Sequence, residues 1–361
     1  MLTHLILKDF RNYIDFDLKL DTRVNVFIGD NGQGKTNILE SIFFLSMLRS
    51  FRTSQVRDIK RLGSNGFYIG AKIKTDLGWD KLLEVEYFNT RKLKVDSNPI
   101  NKASEFIRQI RVVAFSPEDI AIVTGNSGLR RRFIDMMIAT LIPSYLLALQ
   151  NYQTALKSRN ALLRSKKCDI NTLKAYETIL AQNGVIITKY RQEYIKILSD
   201  EIRSLISEFN NGDIDLTIRY KVQSGAETEE AYLKRLDADR NKDIHRGQTS
   251  FGPQIDDFDI FFNQKLLRSF GSTGQCRLIS LCMKMAKVNI FSKHEQGQSA
   301  LIVLVDDVTG ELDHQTKSSF YQVINKAEQA FFTFTETPDD DYFKDAKTFQ
   351  ISNGNICSNP D

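Results

Sequence analysis

The sequence predicts an α/β fold in which an apolar strand leads through a glycine-rich loop into a helix. Val24–Ile28 is a short apolar segment of β type, and Asn37–Phe43 has the composition of a helix. Between them, Gly29–Thr36 matches the complete pattern G-x-x-x-x-G-K-[ST] of a phosphate-binding loop. Near the C-terminal end of the sequence, Ala300–Asp307 has the apolar pattern of a buried strand and ends in two carboxylates. Together these segments predict a nucleotide-binding core.

The phosphate-binding loop predicts ATP and Mg²⁺ as cofactors. Its glycines let backbone N–H groups close around phosphate oxygens, and the N-terminus of the following helix adds a favourable dipole. Lys35 is predicted to reach the β- and γ-phosphates, and the Thr36 hydroxyl to ligate Mg²⁺. The nucleotide-contacting residues predicted here are Gly29, Asp30, Asn31, Gly32, Gln33, Gly34, Lys35, Thr36 and Asn37.

The two carboxylates predict the other half of the site. Asp306 is expected to hold Mg²⁺ through its water shell, so the predicted metal residues are Thr36 and Asp306. Asp307 is expected to lie beside the γ-phosphate and accept a proton from the attacking water. The alternative is a strand that runs into an ordinary acidic turn, and the phosphate-binding loop weakens it.

A Ser-x-Gly-Gln segment stands before a predicted helix and upstream of the acidic pair. This order resembles the signature motif of ATP-binding-cassette ATPases, and Thr309–Asp313 resembles their D-loop. The resemblance implies that the signature serine contacts the γ-phosphate held by a second subunit. It adds Ser272 to Lys35 and Asp307 as catalytic candidates. It also adds nucleotide contacts at Ser272, Gly274, Gln275 and Asp313.

Composition describes an ordinary soluble protein of 361 residues, with 42% hydrophobic and 26% charged residues. The net charge of +4 permits a polyanionic partner without requiring one. The four cysteines lack metal-ligand spacing and are interpreted as free thiols of a reducing compartment. No apolar run reaches the length of a membrane span, and no signal-peptide pattern begins the chain. We therefore expect a cytoplasmic protein with no membrane partner.

Hydrophobic periodicity divides the chain into three parts. Alternating segments in 1–28 and 66–97 predict an antiparallel sheet beside the nucleotide core, and residues 127–209 have a helical pattern. Residues 213–220 alternate strictly and predict a strand, and the polar stretch 224–243 is either helix or loop. The predicted domains are 1–126 as the N-terminal part of the ATPase domain, 127–245 as a helical lobe, and 246–361 as the C-terminal part.

Two basic clusters are candidate DNA-binding surfaces. One follows the helix after the phosphate-binding loop, and the other lies within Ser127–Ile170. Local positive excess is typical of phosphate contacts, although each cluster can also be a solvated face with ion pairs. Arg131–Arg132 can equally pair with internal carboxylates. No groove-reading motif or stacking platform is visible, which favours sequence-independent binding. The candidates are Arg49, Arg52, Arg57, Lys60, Arg61, Arg164, Lys166 and Lys167.

Several motifs in order resemble the RecF family of SMC/Rad50-like ATPases, over Leu5 to about Thr335. The motifs are Phe10–Tyr13, Gly29–Asn37, Ser50–Thr53, Phe115–Asp119, Arg131–Asp135, Asp306–Val308 and Glu311–Asp313. The resemblance implies an ABC-type P-loop ATPase head, in which a mixed sheet with flanking helices stands beside an antiparallel β subdomain. It also implies an inserted, mainly helical second lobe. The interval between the loop and the acidic pair is too short for an SMC coiled-coil arm.

The same resemblance implies a role in recombinational repair, replication-fork maintenance and the SOS response. Members bind DNA when ATP-bound, at single-strand gaps and single-strand/double-strand junctions, and without sequence preference. They form ATP-dependent homodimers and hydrolyse ATP weakly with DNA stimulation. Their partners are RecR and RecO, and indirectly RecA.

The chain departs from the family pattern in several places. Gly252–Asp257 reads Gly-Pro-Gln-Ile-Asp-Asp where members usually read Gly-Pro-His-Arg-Asp-Asp, and Thr273 and Cys276 occupy positions often held by Gln. Phe115–Glu118 stands where a Q-loop would be, and Thr335 stands near the place of the switch histidine.

Two other classes of protein are alternatives. A transporter ATPase subunit would lack the helical insert, and a phosphoryl-transfer enzyme for small molecules would need an acceptor site that no constellation suggests.

Overall fold

The computed structural model describes residues 1–53, 55–74, 78–165, 169–209, 215–223, 225–294 and 299–357. The chain forms two compact units: residues 1–118 with 284–361, and residues 119–283. The second unit is therefore longer than the predicted helical lobe 127–245 and includes the signature segment around Ser272, which the sequence analysis had assigned to the C-terminal ATPase domain. The division falls inside one continuous helix, Thr273–Lys293. No helix in the described ranges combines the length and apolarity of a membrane span.

The strands are β1 (Leu2–Phe10), β2 (Tyr13–Lys19), β3 (Val24–Ile28), β4 (Phe67–Lys74), β5 (Asp80–Phe88), β6 (Thr90–Val95), β7 (Asn98–Pro99), β8 (Ile110–Phe115), β9 (Leu216–Lys221), β10 (Asp257–Phe262), β11 (Lys265–Leu266), β12 (Ala300–Asp306), β13 (Gln329–Phe334), β14 (Lys347–Ser352) and β15 (Asn355–Cys357). The helices are α1 (Lys35–Met47), α2 (Ala103–Ile107), α3 (Ala121–Thr124), α4 (Ser127–Leu141), α5 (Pro143–Leu163), α6 (Ile170–Phe209), α7 (Glu229–Arg246), α8 (Leu267–Phe270), α9 (Thr273–Lys293) and α10 (His314–Ile324).

The first unit contains the nucleotide-core sheet, in the order β15-β14-β3-β13-β12-β8. All its neighbours pair in parallel except β15, which is antiparallel to β14. Both β3 and β12 end at the same edge because parallel strands share their direction. Since β13 lies between them, the loop after β3 and the carboxylates at the end of β12 lie one strand apart at that edge.

A second sheet in the same unit is fully antiparallel, in the order β2-β1-β4-β5-β6-β7. This confirms the antiparallel subdomain expected from the alternating segments. Helix α1 contacts strands of both sheets, β8, β12 and β13 on one side and β1 and β5 on the other. Its apolar residues are accordingly buried all round, with Ile42 and Phe44 at 0% exposure. Burying one such side chain stabilises the fold by roughly 1.5–3 kcal/mol, so α1 is fixed firmly behind the loop.

The second unit is mainly helical and carries the short antiparallel sheet β11-β10-β9. The predicted strand 213–220 corresponds to β9, and its first two residues lie outside the described ranges. The polar stretch 224–243 contains most of α7, which Thr228 caps by accepting from Ala231 N–H. This polar helix is stable because its few apolar positions, such as Tyr232 and Leu236, are fully buried.

A buried ionic cluster joins three helices of the second unit. Arg159 of α5 is fully buried and donates to Glu177 of α6 and Asp243 of α7, both at 2.8 Å. Arg240 adds a bond of 2.7 Å to Glu177, and Thr249 accepts from Arg159 at 2.8 Å. Arg159 belonged to the second basic cluster of the sequence analysis, but its charge is neutralised internally.

Candidate nucleotide site

The phosphate-binding loop lies between β3 and α1, as its sequence predicts. Gly29, Gly32 and Gly34 have φ values of 153°, 83° and 117°, which residues with side chains rarely adopt. Asn37 N–H donates to the Gly34 carbonyl at 2.9 Å, but no side chain caps the N-terminus of α1, so this helix end is open to an anion. Lys35 is 8% exposed and its ammonium donates to the carbonyls of Gly29 and Asp30, the latter at 2.8 Å.

Residues at the β1–β2 turn stabilise the conformation of the phosphate-binding loop by hydrogen bonds. Asn12 donates through its side-chain amide to the Gln33 carbonyl at 3.0 Å, and the Tyr13 hydroxyl donates to the Gly34 carbonyl at 3.1 Å. A side chain at Gly34 would place its Cβ 2.6 Å from the Asn12 amide nitrogen. On the other side, Gly354 N–H donates to the Gln33 carbonyl at 3.1 Å. Loop carbonyls are thus occupied by the protein, which favours a loop with N–H groups available to phosphate.

A fully buried carboxylate in α1 organises two arginines of the site. Glu40 accepts a two-pronged bond from Arg11 at 2.8 and 2.6 Å, and a bond from the Ser50 hydroxyl. Arg52 lies 3.9 Å from the same carboxylate and donates to the Asn37 side chain at 2.8 Å. Asn37 in turn donates to Asn12 at 2.7 Å. The network connects the phosphate-binding loop to the Ser50–Thr53 segment.

The acidic pair lies where the sequence predicts it, beside the loop. Thr36 donates its hydroxyl to Asp306 at 2.8 Å, and Thr333 of β13 donates to the same oxygen at 2.8 Å. Burial raises the pKa of Asp306, and these two hydrogen bonds oppose the shift. Asp307 has a φ of 52°, so the chain turns sharply after β12. Burial lowers the pKa of Lys35, against the opposing charges of Asp307, Asp306 and Asp30.

These groups line one cleft of about 830 Å³ in the first unit. The predicted site residues on its wall are Asn31, Gly32, Gly34, Lys35, Thr36, Asn37, Asp306 and Asp307. Four of the predicted DNA-binding residues also line it: Arg52, Arg57, Lys60 and Arg61. Glu118, from the segment that stands where a Q-loop would be, and Thr335, near the expected place of the switch histidine, line it as well. The cleft therefore combines the loop, the carboxylates and a cationic wall.

Other predicted residues lie elsewhere. Gly29, Asp30 and Gln33 line a second, shallower hollow on the far side of the loop. Asp313 caps α10 by accepting from the Thr316 N–H at 2.9 Å and hydroxyl at 2.8 Å, and these bonds lower its pKa. Arg49 is exposed and is not among the residues that line the cleft.

The signature segment forms the N-terminus of α9 in the second unit. The Ser272 hydroxyl accepts from Gln275 N–H at 3.2 Å, and the Gln275 side chain accepts from Ser272 N–H at 2.9 Å. This reciprocal pair is a capping box, a structural reason for Ser and Gln at this spacing that the sequence analysis missed. Ser272, Thr273 and Gly274 are exposed, so the helix end is accessible to an anion from solvent or from another subunit.

The second unit contains Gly252–Asp257, the segment in which Gln254 and Ile255 replace the usual His-Arg of the family. Gln254 accepts from the Tyr152 hydroxyl and donates to the Phe251 carbonyl at 2.9 Å, whereas Ile255 is 42% exposed. Of the DNA candidates here, Arg164 donates to the Gly247 carbonyl at 3.1 Å, while Lys166 and Lys167 lie outside the described residues.

The arginines of α4 engage the same part of the unit. Arg130 forms a two-pronged pair with Asp257 at 2.7 and 3.0 Å, and Arg131 donates to the Asp256 carbonyl at 2.6 Å. Internal pairing was an alternative for Arg131–Arg132, but Arg131 donates to a backbone carbonyl, and the two-pronged carboxylate pair belongs to the neighbouring Arg130. These charges maintain the fold of the second unit.

The donor set fits a magnesium ion. Thr36 and Asp306 supply oxygens, the ligand type that Mg²⁺ prefers, and they already lie within hydrogen-bond distance of each other. Among the described residues no group of three His, Cys, Asp or Glu side chains forms a metal cage. A phosphate-assisted Mg²⁺ site does not need one, because the ion keeps waters and substrate oxygens as ligands.

Comparison with known proteins agrees with this architecture. The family model described as the RecF/RecN/SMC N-terminal domain matches residues 1–353. The DNA replication and repair protein RecF of Leptospira interrogans is 34% identical over 339 residues, which cover 93% of this chain and 92% of that protein. A solved structure of the recombination mediator protein RecF with ATP, from the RecFOR pathway, has a TM-score of 0.88 at 29% identity, and covers 99% of this chain and 96% of that chain.

A more distant structure shares the fold alone. The Smc head domain of Pyrococcus furiosus, solved with an extended coiled coil and the C-terminal domain of ScpA, has a TM-score of 0.52 at 14% identity, and covers 98% of this chain and 94% of that chain. Fold and site together define an ABC-type P-loop ATPase head of mixed α/β architecture with a helical lobe, which confirms the predicted fold class. The chain belongs to the RecF/RecN/SMC N-terminal domain family, within the RecF proteins of DNA replication and repair. This membership decides against the transporter and small-molecule alternatives.

Proposed function

We propose that this chain is an ATP-switched DNA-binding protein of recombinational repair and replication-fork maintenance. The observation that carries the proposal is the convergence of Lys35, Thr36, Asp306 and Asp307 in one cleft. A relative of the same length was solved with ATP, and this supports ATP as the nucleotide here.

The roles of the residues follow from their chemistry. Lys35 would leave its two loop carbonyls and bind the β- and γ-phosphates, while the N–H groups at the start of α1 bind the same oxygens. Thr36 and Asp306 would hold Mg²⁺, which supplies positive charge to the phosphate oxygens. Asp307, which lines the same cleft, would accept a proton from the attacking water.

The cationic wall of the cleft suggests a further assignment. Arg52, Arg57, Lys60 and Arg61 were candidates for DNA contact, and all four line the cleft that contains the phosphate-binding loop. Arg61 is held by Asp9 at 2.6 Å, and Lys60 donates to the Ser64 carbonyl at 2.7 Å. We propose that this group serves the bound nucleotide, which leaves the Arg164–Lys167 segment as the leading DNA candidate.

The wider role is proposed from the family. It comprises slow, DNA-stimulated ATP hydrolysis, an ATP-dependent homodimer on gapped DNA, and co-operation with RecO and RecR in loading RecA, with a link to the SOS response. The occurrence of a RecF–ATP structure within the RecFOR pathway supports these partners.

Binding of a fluorescent ATP analogue to Lys35→Ala tests the nucleotide site. The phosphate charge loses its direct partner, so we expect at least a tenfold loss of affinity. Lys344→Ala is the matched control, because Lys344 is exposed in the same unit and pairs with Asp341 at 2.7 Å within its own turn. Equal affinity of the two variants would refute the assignment of the cleft.

A further inference from the structure

Thr333 holds an unusual position in the nucleotide-core sheet. It lies on β13 with 2% exposure, in a strand whose other residues are mostly apolar and buried. Its register partners are Asp306 on β12 and Phe27 on β3. It is therefore the residue of the middle strand that stands between the acidic strand and the strand leading to the phosphate-binding loop.

The hydroxyl of Thr333 has one clear function in this position. A buried hydroxyl without a partner destabilises a protein, and an apolar residue of the same shape would fit the strand equally well. Instead, Thr333 donates to Asp306 at 2.8 Å, on the same carboxylate oxygen that accepts from Thr36 at 2.8 Å. One oxygen of Asp306 therefore accepts from both Thr36, the other predicted metal residue, and Thr333.

We propose that Thr333 is a positioning residue for the divalent cation of this site, acting through Asp306. The inference rests on the proposed nucleotide function. Its bond fixes the rotation of the carboxylate and keeps the shared oxygen engaged, whether or not Thr36 turns toward a bound ion. Groups that orient a metal-binding side chain in this way typically change metal affinity 10–100-fold when removed.

The test compares Thr333→Val, which keeps the β-branched shape without the hydroxyl, with Thr333→Ser, which keeps the hydroxyl. Thr348→Val is the matched control, since Thr348 is an exposed residue on β14 of the same sheet. Binding of a fluorescent ATP analogue is titrated with Mg²⁺, and repeated in EDTA. ATP turnover against Mg²⁺ concentration and thermal melting accompany both.

We expect Thr333→Val to need about tenfold more Mg²⁺ for half-maximal nucleotide binding, with unchanged binding in EDTA. Thr333→Ser is expected to restore a wild-type requirement, and Thr348→Val to match wild type throughout. A wild-type Mg²⁺ requirement in folded Thr333→Val would overturn the inference. So would a serine variant that is folded but as impaired as valine, because the hydroxyl would then not be the active group. Failure of the wild-type protein to bind the analogue under any condition would instead overturn the proposed nucleotide function.

Discussion

At the scale of single residues, the phosphate-binding loop depends on backbone conformations that only glycine adopts easily. The two glycines at its start and middle differ in their surroundings. A Cβ on Gly29 would collide with the backbone carbonyl of Ile351, whereas a Cβ on Gly32 would meet nothing within 4 Å. Both have positive φ. Alanine at Gly32 would therefore add backbone strain alone, whereas alanine at Gly29 would add both strain and a steric collision.

We expect Gly32→Ala to lower the free energy of unfolding by about 1–2 kcal/mol, the cost of a left-handed conformation for alanine. Gly29→Ala is expected to lower it further, because backbone atoms on β14 must move as well. Denaturant unfolding of both variants measures the difference. Equal losses would show that β14 yields to the added methyl group without cost.

At the scale of secondary-structure elements, helices α5, α6 and α7 of the second unit are joined by charge as well as by apolar packing. Arg159 is fully buried between Glu177 and Asp243, and its Nε has no hydrogen-bond partner in the described structure. Such a cluster is sensitive to removal of one member, since the remaining charges stay buried.

Replacing Arg159 with Leu should destabilise the protein by about 3–5 kcal/mol, because Asp243 loses a buried partner. Lys234→Ala is the control. Lys234 forms an exposed pair with Glu230 at 2.8 Å on α7, and little measurable change is expected there. Comparable losses of stability in the two variants, by chemical unfolding, would contradict a structural role for the buried cluster.

At the scale of the whole molecule, the signature serine and the phosphate-binding loop belong to different compact units. In the cassette arrangement implied by the resemblance, Ser272 completes the site of a second copy. ATP would then join two chains, and hydrolysis would release them.

Ser272→Arg is therefore expected to leave ATP binding by the monomer intact, while it blocks dimerisation and hydrolysis. Sedimentation with and without ATP and gapped DNA measures both association and DNA binding. Ser204→Arg, at an exposed position of α6 in the second unit, controls for the added charge. Normal ATP-dependent dimerisation of the Ser272 variant would exclude the shared-site mechanism for this chain.

DNA binding should depend steeply on salt and little on base sequence. For six phosphate contacts, the slope of log K against log salt is about −5. Joint replacement of Arg164, Lys166 and Lys167 by alanine should reduce that slope if this segment touches DNA. An unchanged slope would move the contact surface elsewhere, and Lys344→Ala again provides the control.

The sequence by itself determined the parts of the site that are contiguous in the chain. Gly29–Thr36 and Asp306–Asp307 could be predicted as site segments, because a loop that binds phosphate and a strand that ends in carboxylates each have a local pattern. The fold class followed in part, since a strand–loop–helix unit and alternating segments indicate a nucleotide core beside an antiparallel sheet, and the family resemblance implied the mixed sheet and the helical lobe.

Only the tertiary structure decided which distant residues complete the site. A carboxylate in an apolar helix was the one signal in the sequence that Glu40 has a special role. Nothing in the sequence indicated that its partners are Arg11 and Arg52. Charge alone made Arg57 and Arg61 candidates for DNA contact, and only the structure shows that both line the nucleotide cleft. Thr333 meets Asp306 only through the register of β12 and β13. Strand register and side-chain direction depend on how strands far apart in the chain pack together. No local sequence pattern encodes that geometry.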